Sequence, residues 1–217
     1  MCGRYNLIID GDSLAESLDI QQSFEFKARY NIAPSQMAPV IRMGEQGREL
    51  VMMKWGLLPH WSKEEKLKYS TINARAETVA EKPTFRTPFK RSRCLVPATG
   101  FYEWKAEVSG PKQPYLIRKQ DRKLMVFSGL WDHWEKEGQV IDSYTIIVTQ
   151  ANQIIRNVHD RMPVILNSKN YDEWLDPSTQ VERLHELMGP SPDSLLDLTP
   201  ISRHVNSPAH DDPACLS

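Results

Sequence analysis

The chain has 217 residues, of which 40% are hydrophobic and 25% charged, and this predicts one well-buried globular domain rather than two of similar size. The formal net charge of −1 by itself points to neither a nucleic-acid partner nor an acidic one. The chain has no apolar run near the ~20 residues of a membrane span, no secretory leader, and too few and too scattered cysteines for a disulfide or zinc framework, so we expect a reducing compartment, no metal and no membrane.

Short strands and turns follow one another along the chain, with few long helical patterns. The sequence predicts a strand at 5–9, a short helix at 13–18, and a hairpin that pairs 39–42 with 49–56. Further strands are predicted at 93–98, 115–118, 125–131 and 144–149. The pattern therefore favours antiparallel pairing of neighbouring strands.

The C-terminal third is predicted to hold the helices. Thr149 is expected to cap a helix that ends before Pro163, and short helices are expected at 171–175 and 181–187. The economical architecture is one compact α+β domain over residues 1–206, barrel-like and built mainly on antiparallel strands, with short flanking helices. Residues 207–217, with two prolines and two aspartates, are expected to form a flexible tail.

The second residue carries the most distinctive chemistry. Initiator Met is normally removed before a residue as small as Cys, so the mature chain is expected to start at Cys2. Its α-amine and thiol have reference pKa values of roughly 8 and 8.5, so both are partly deprotonated near neutral pH. Such a 1,2-aminothiol can open an amide or ester through sulfur. It can also condense with an aldehyde through nitrogen and close through sulfur to a thiazolidine.

A basic and aromatic stretch follows in the middle of the chain. From Lys82 to Arg93 there are five cations, no anions and two phenylalanines. Single-stranded nucleic acid requires cations for phosphates and rings for bases, although a charge run is more often a solvated face. Trp61, in a polar loop, is equally compatible with packing and with a platform for a base.

Two further motifs carry groups suited to proton transfer. In Gly100–Lys105, strand alternation places Glu103 on one face with Phe101 and Lys105, and Tyr102 and Trp104 on the other. A carboxyl group among aromatic residues is expected to be partly desolvated, which raises its pKa and suits it to proton transfer; a structural pair with an arginine is the competing interpretation. In His159–Pro163, His159 titrates near neutral pH and Arg161 offers a fork for phosphate. A single histidine is usually structural, and the presence of Cys2 makes the functional interpretation stronger.

These blocks, in this order, resemble the SOS response-associated peptidase (SRAP) family over nearly the whole chain, up to Asn206. Each motif is weak alone, and nine in order are highly specific. The matching pieces are Met1–Arg4, Tyr30–Pro34, Trp55–Leu57, Asn73–Glu77, Arg93–Pro97, Gly100–Trp104, Gly129–Trp131, His159–Pro163 and Val205–Asn206.

The resemblance implies an enzyme that binds single-stranded DNA and crosslinks covalently to abasic sites. Cys2 would form a Schiff base with the ring-opened sugar and then a thiazolidine, without a cofactor. The family name also implies a peptidase, which we interpret as self-removal of Met1 or a short leader. We expect a monomer, cytoplasmic or nucleoid-associated if bacterial and nuclear if eukaryotic.

The resemblance also implies roles for single residues. Asn73 would orient Cys2 or the sugar, Glu103 would move protons, and His159 would lie beside the imine and the 3′ phosphate. The expected DNA-binding residues are Arg4, Trp61, Arg75, Arg86 and Arg161. Arg86 depends on a stretch that offers several alternative cations.

Two other functions remain open from the sequence. An N-terminal-nucleophile glutaminase also begins with a processed Cys-Gly, but the basic and aromatic stretch would then have no role. A non-covalent reader of single-stranded or modified DNA would leave Cys2 incidental. Glutamine turnover without DNA and a denaturing gel separate these from the crosslinking hypothesis.

Overall fold

The structure is a computed structural model that describes residues 2–21 and 24–217. The strands are β1 Tyr5–Leu7, β2 Arg29–Ile32, β3 Met37–Gly44, β4 Gly47–Trp55, β5 Asn73–Arg75, β6 Arg93–Ala98, β7 Gly100–Lys105, β8 Gln113–Lys119, β9 Met125–Lys136, β10 Gln139–Gln150, β11 Arg161–Pro163 and β12 Leu196–Pro200. The helices are α1 Gly11–Ser17, α2 Arg86–Arg91, α3 Gln153–Arg156, α4 Tyr171–Leu175 and α5 Val181–Leu187.

A closed five-stranded barrel forms the centre of the molecule. The strands run in the order β10-β4-β3-β6-β9, and the pairing of β9 with β10 closes the ring. Neighbours are antiparallel except β4 and β10, which run parallel with Tyr144 opposite Trp55. At Gly129 a Cβ atom would lie 2.8 Å from the Cys94 sulfur, so β9 passes β6 only with a glycine there. The prediction of an α+β domain with a barrel of mainly antiparallel strands is confirmed.

A second sheet packs against this barrel and carries the N-terminus. Its order is β12-β8-β7-β1-β2, with every neighbouring pair antiparallel. Tyr5 of β1 joins sheet to barrel, because its hydroxyl lies 2.7 Å from that of Tyr144 and its ring meets Trp55 edge-on at 5.2 Å. The core therefore anchors β1, and this anchoring restricts the position of Cys2, three residues before Tyr5.

The segment that follows β12, residues 201–217, covers the other face of the second sheet, and we call it the C-terminal segment. Strand alternation sends Phe101 into the barrel-side core and Tyr102 into a smaller cluster with Leu116, Val205 and Cys215. Asp211 accepts hydrogen bonds from the backbone N–H groups of two β2 residues at 2.5 and 2.9 Å. Residues 207–217, for which composition predicts a flexible tail, thus contact the sheet and end in a 3₁₀ turn at 213–216.

The helices agree with the sequence in the C-terminal third except at Thr149. The predicted helices at 171–175 and 181–187 are confirmed as α4 and α5. The predicted cap at Thr149 is wrong: this residue stays in β10 opposite Met162 of β11, and Asn152 caps α3 through the N–H of Ile155. Cross-strand pairing therefore overrides the local capping signal. Over residues 2–21 and 24–217, no helix has the length and apolar character to span a membrane.

Candidate active site

Cys2 lies just before β1 and interacts electrostatically with Glu103 of the neighbouring strand β7. Tyr5 pairs with Phe101, and the N–H of Tyr102 donates to the carbonyl of Arg4 at 3.0 Å. Continuing this antiparallel register brings the residues before Arg4 alongside Glu103. Cys2 is 0% exposed and Glu103 3% exposed, so both functional groups lie out of bulk water. Met1, whose removal the sequence predicts, lies outside the described residues.

Burial sets the protonation of both groups. It raises the pKa of the Cys2 thiol far above its usual range, and the neighbouring Glu103 carboxylate adds to the rise. It also raises the pKa of Glu103 from 4.5 to about 7, with a further contribution from the Asp160 carboxylate. At neutral pH the thiol therefore holds its proton, while Glu103 is divided between acid and base.

The barrel side contributes Asn73 through β5, which runs parallel to β10 with Asn73 opposite Ile146. The Asn73 amide nitrogen donates weakly to the Ile146 carbonyl at 3.5 Å. Its amide oxygen is buried, and within the described part of the chain it has no hydrogen-bond partner. A buried acceptor without a partner is costly, which favours a role in holding a donor that arrives with the substrate.

His159 lies between α3 and β11, and its orientation is fixed by the backbone. The N–H of Arg161 donates to Nδ1 of His159 at 3.0 Å, which requires a lone pair on that nitrogen. The Asp160 carboxylate, 2.9 Å from the same Nδ1, would instead need a proton there. Burial lowers the pKa of His159, so the neutral ring with its proton on Nε2 is the state that agrees with the backbone contact.

The predicted phosphate-binding arginines occupy different environments. Arg75 ends β5 with an exposed side chain, and Arg86 begins α2, also exposed. Arg161 is 18% exposed and pairs with Glu77 at 2.5 Å. Arg4 donates to the Asn31 amide oxygen and to two carbonyls of the C-terminal segment, at 2.8–3.1 Å. The Arg4 guanidinium thus binds the chain itself.

Two aromatic side chains in the segment between β4 and β5 are exposed. Trp61 is 50% exposed and Tyr69 51% exposed. The Tyr69 hydroxyl lies 3.1 Å from the Thr84 hydroxyl, so the ring is held just before the basic α2. Asn73 follows Tyr69 by four residues, at most about 14 Å of extended chain. We use the name basic–aromatic surface for four exposed residues, which are Trp61, Tyr69, Arg75 and Arg86.

The structure links six of the predicted site residues in two groups and draws attention to three further residues. In the first group, Glu103 interacts electrostatically with Cys2 and with Asp160, the residue after His159. In the second group, β5 and β11 both pair with β10, and these two strands carry Asn73, Arg75 and Arg161. Sequence reasoning missed Asp160, Glu77 and Tyr69. The first two lie within motifs already singled out, so their position was available as a signal. Tyr69 had no signal, because only the Thr84 contact shows that its ring is held at the surface.

Known proteins are similar to this chain over most or all of its length. A family model described as SOS response associated peptidase (SRAP) matches residues 1–208. The "Abasic site processing protein YoqW" of Bacillus subtilis is 41% identical over 222 residues, covering 100% of this chain and 99% of that protein. The "Abasic site processing protein HMCES" of Gallus gallus is 32% identical, covering 88% of this chain and 66% of that protein. A crystal structure of a Bacteroides thetaiotaomicron protein superposes with a TM-score of 0.85 at 28% identity, covering 99% of this chain and 98% of that one.

Proposed function

We propose that this chain, which belongs to the SOS response associated peptidase (SRAP) family, processes abasic sites in single-stranded DNA by covalent attachment through Cys2. The observation that carries the proposal is the proximity of Cys2, an aminothiol once Met1 is removed, to a carboxyl group whose pKa is about 7. An abasic sugar in its open form is an aldehyde. The aldehyde is the electrophile that an aminothiol traps most durably.

The proposed reaction has two bond-forming stages. The Cys2 amine adds to the aldehyde carbon to give a carbinolamine, which loses water to form the imine. The sulfur then adds to the imine carbon, the thiol proton passes to nitrogen, and the ring closes to a thiazolidine. Because burial keeps the thiol protonated, the amine acts first and sulfur follows.

Glu103 is the proposed proton carrier for both stages. With a pKa of about 7, its carboxylate can take a proton from the N-terminal ammonium or the thiol, and its acid form can protonate the leaving hydroxyl. The same group would serve the reverse reaction, since reversal passes through the same imine. We therefore expect Glu103 to change rates in both directions rather than the stability of the product.

His159 is proposed to act as a neutral hydrogen-bond donor. The Arg161 N–H occupies Nδ1, so the ring presents the Nε2 proton to oxygen atoms that develop charge as the sugar opens. Protonating Nδ1 would break the contact with Arg161, which makes the imidazolium an unfavourable species here. A neutral donor and a proton shuttle predict different losses of rate when His159 is replaced.

The basic–aromatic surface is proposed to hold the strand on either side of the lesion. Arg75 and Arg86 would neutralise phosphates, while Trp61 and Tyr69 would accept bases. Arg161 would also bind a phosphate if its guanidinium can contact the phosphate while it stays paired with Glu77. We assign Arg4 no phosphate, because its donors already hold Asn31 and the C-terminal segment.

The test is a denaturing gel of the mature protein incubated with a single-stranded oligonucleotide that carries one abasic site. A heat-stable band of the combined mass is expected, and the matched intact oligonucleotide should give none. Equal retention of both strands only under native conditions would indicate a non-covalent reader. Glutamine hydrolysis without any adduct would indicate an amidotransferase.

The proposal also requires that Cys2 be the mature N-terminus. Intact-mass spectrometry of the untagged protein should show the loss of Met1. If Cys2 removes Met1 itself, the Cys2→Ser variant should retain more Met1 than wild type when expressed in the same host. Equal removal from both would assign the step to the host's aminopeptidase instead.

A further inference from the structure

Three side chains with different metal-binding atoms converge in the C-terminal segment, on the sheet face opposite the barrel. They are His204, Asp212 and Cys215, and their ligand atoms all lie within 4.8 Å of one another. Among the described residues, no other group of three or more such side chains comes together. The number and spacing of the cysteines predict no metal framework. The sequence could not show this cluster, because the three side chains come together only through the folding of residues 203–216.

The distances within the cluster are close to those of a coordination site. His204 Nε2 lies 3.0 and 3.2 Å from the two Asp212 carboxylate oxygens. With bonds of about 2.0–2.2 Å to nitrogen and oxygen and about 2.3 Å to sulfur, tetrahedral ligand atoms lie about 3.3–3.7 Å apart. The His204–Asp212 pair is therefore already near coordination spacing, and the Cys215 sulfur, within 4.8 Å of both ligand atoms, would complete the site by moving towards them.

The surroundings hold the three groups in place. The His204 ring stacks on His210 at 3.9 Å, nearly parallel. Asp212 caps the last 3₁₀ turn by accepting from Ala214 N–H through Oδ1, which leaves Oδ2 directed at His204. Cys215 is 1% exposed, and its thiol makes a long contact with the His210 carbonyl at 3.5 Å. Ligands restrained before binding lose less entropy on coordination.

We propose that His204, Asp212 and Cys215 bind one zinc(II) ion, with water as the fourth ligand. Imidazole, carboxylate and thiolate together suit this borderline metal, whereas magnesium and calcium prefer oxygen ligands alone. Binding displaces the Cys215 thiol proton to the buffer and uses the His204 tautomer with its proton on Nδ1. The bound ion fastens residues 204–215 to one another.

The position of the site gives the metal a structural role rather than a catalytic one. Arg4, two residues after Cys2, donates to the carbonyls of Val205 and Asn206. Asn31 donates to the carbonyls of Val205, Ser207 and His210, so the same segment is fixed at its middle. Zinc would therefore stabilise the support behind Arg4 without touching the reacting atoms.

The test uses cobalt(II) and zinc(II) on untagged, chelator-treated protein. The Cys2 aminothiol is itself a metal chelator, so the measurement is made in the Cys2→Ala background. One equivalent of cobalt should produce a sulfur-to-metal charge-transfer absorption, and one equivalent of zinc should abolish it. Zinc should also raise the melting temperature.

Cys215→Ser should remove the charge-transfer band. His204→Gln or Asp212→Asn should weaken metal binding by about 10–100-fold or more, because changes to residues that only support a ligand already have an effect of this size. The matched control is His60→Gln, because His60 pairs with Asp132 at 2.9 Å without a cysteine. The control should bind as the parent does. Absent 1:1 binding, or binding and a melting shift that persist in Cys215→Ser, would overturn the proposal, whereas failed DNA crosslinking would not bear on it.

Discussion

The two parts of the proposed site differ in their exposure, and this difference separates chemistry from binding. Cys2 and Glu103 are buried where the second sheet meets the barrel, so desolvation is the main cause of the raised pKa of both. The basic–aromatic surface lies in water, where Trp61 and Tyr69 remain about half exposed. Charges in water interact weakly and are screened by salt, whereas buried groups are strongly perturbed. Substitutions in the buried part should therefore alter rates, and substitutions on the surface should alter affinity.

The largest expected effect is at Cys2. Cys2→Ala removes the thiol and should abolish the heat-stable adduct, while leaving affinity for intact single strands unchanged. Cys2→Ser keeps the amine, so borohydride should trap an imine although no durable ring forms. Denaturing gels and anisotropy binding measure the two quantities. Adduct from Cys2→Ala at the wild-type level would exclude the mechanism.

Glu103→Gln comes next, because it keeps shape but cannot exchange a proton. Single-turnover crosslinking and release should both slow, with general acid–base losses of about 10²–10⁴ as the range. The wild-type rate should show an inflection near pH 7 that the variant lacks. Glu135→Gln, on the exposed end of β9, is the matched control and should match wild type. Unchanged rates in Glu103→Gln would reduce the group to a structural carboxylate.

Glu103 should also leave a signature in stability. Its pKa rises on folding from 4.5 to about 7, so the folded state binds the proton more tightly. This contribution is fully present below pH 4.5 and is lost as pH rises through 7. At about 1.4 kcal/mol per pKa unit, wild type should lose up to about 3 kcal/mol relative to Glu103→Gln across that window. Urea unfolding of both proteins at a series of pH values measures the difference, and parallel curves would contradict it.

His159 should have a smaller effect if it only donates a hydrogen bond. Losing one such bond is worth about 0.5–1.5 kcal/mol, so His159→Ala should slow crosslinking or release by about 2–12-fold. His159→Gln retains an N–H donor and should recover part of that rate. A loss of 10²-fold or more in both variants would instead assign His159 to proton transfer.

The smallest effects are expected on the basic–aromatic surface. Removing one phosphate-binding cation should reduce the log–log salt slope of binding by about 0.7, for Arg75→Ala or Arg161→Ala alike, on abasic and intact strands. Arg122→Ala, whose cation pairs with Asp197 in another part of the molecule, serves as the control. An unchanged slope in both test variants would remove their phosphate role. Tyr69→Ala should weaken binding, and Tyr69→Phe should show whether the Thr84 contact matters.

The sequence by itself determined the identities of the chemically able groups. An N-terminal Cys after a removable Met, a Glu between aromatic residues, and a His-Asp-Arg motif are local patterns, and local chemistry can be recognised from them. Strand periodicity similarly indicated an antiparallel α+β domain. These features depend on neighbouring residues, so they required no knowledge of the fold.

Only the tertiary structure decided which groups meet and in what protonation state. Cys2 reaches Glu103 through the β1–β7 register, a pairing about 100 positions apart, and burial then sets both pKa values. Three other features also depend on the fold. Pairing with β11 keeps Thr149 in a strand, and the Arg161 N–H selects the tautomer of His159. Arg4 binds the C-terminal segment instead of remaining exposed. Desolvation and hydrogen-bond partners belong to the folded arrangement of distant segments. Local sequence patterns therefore identify the reactive groups, and the fold determines their chemistry.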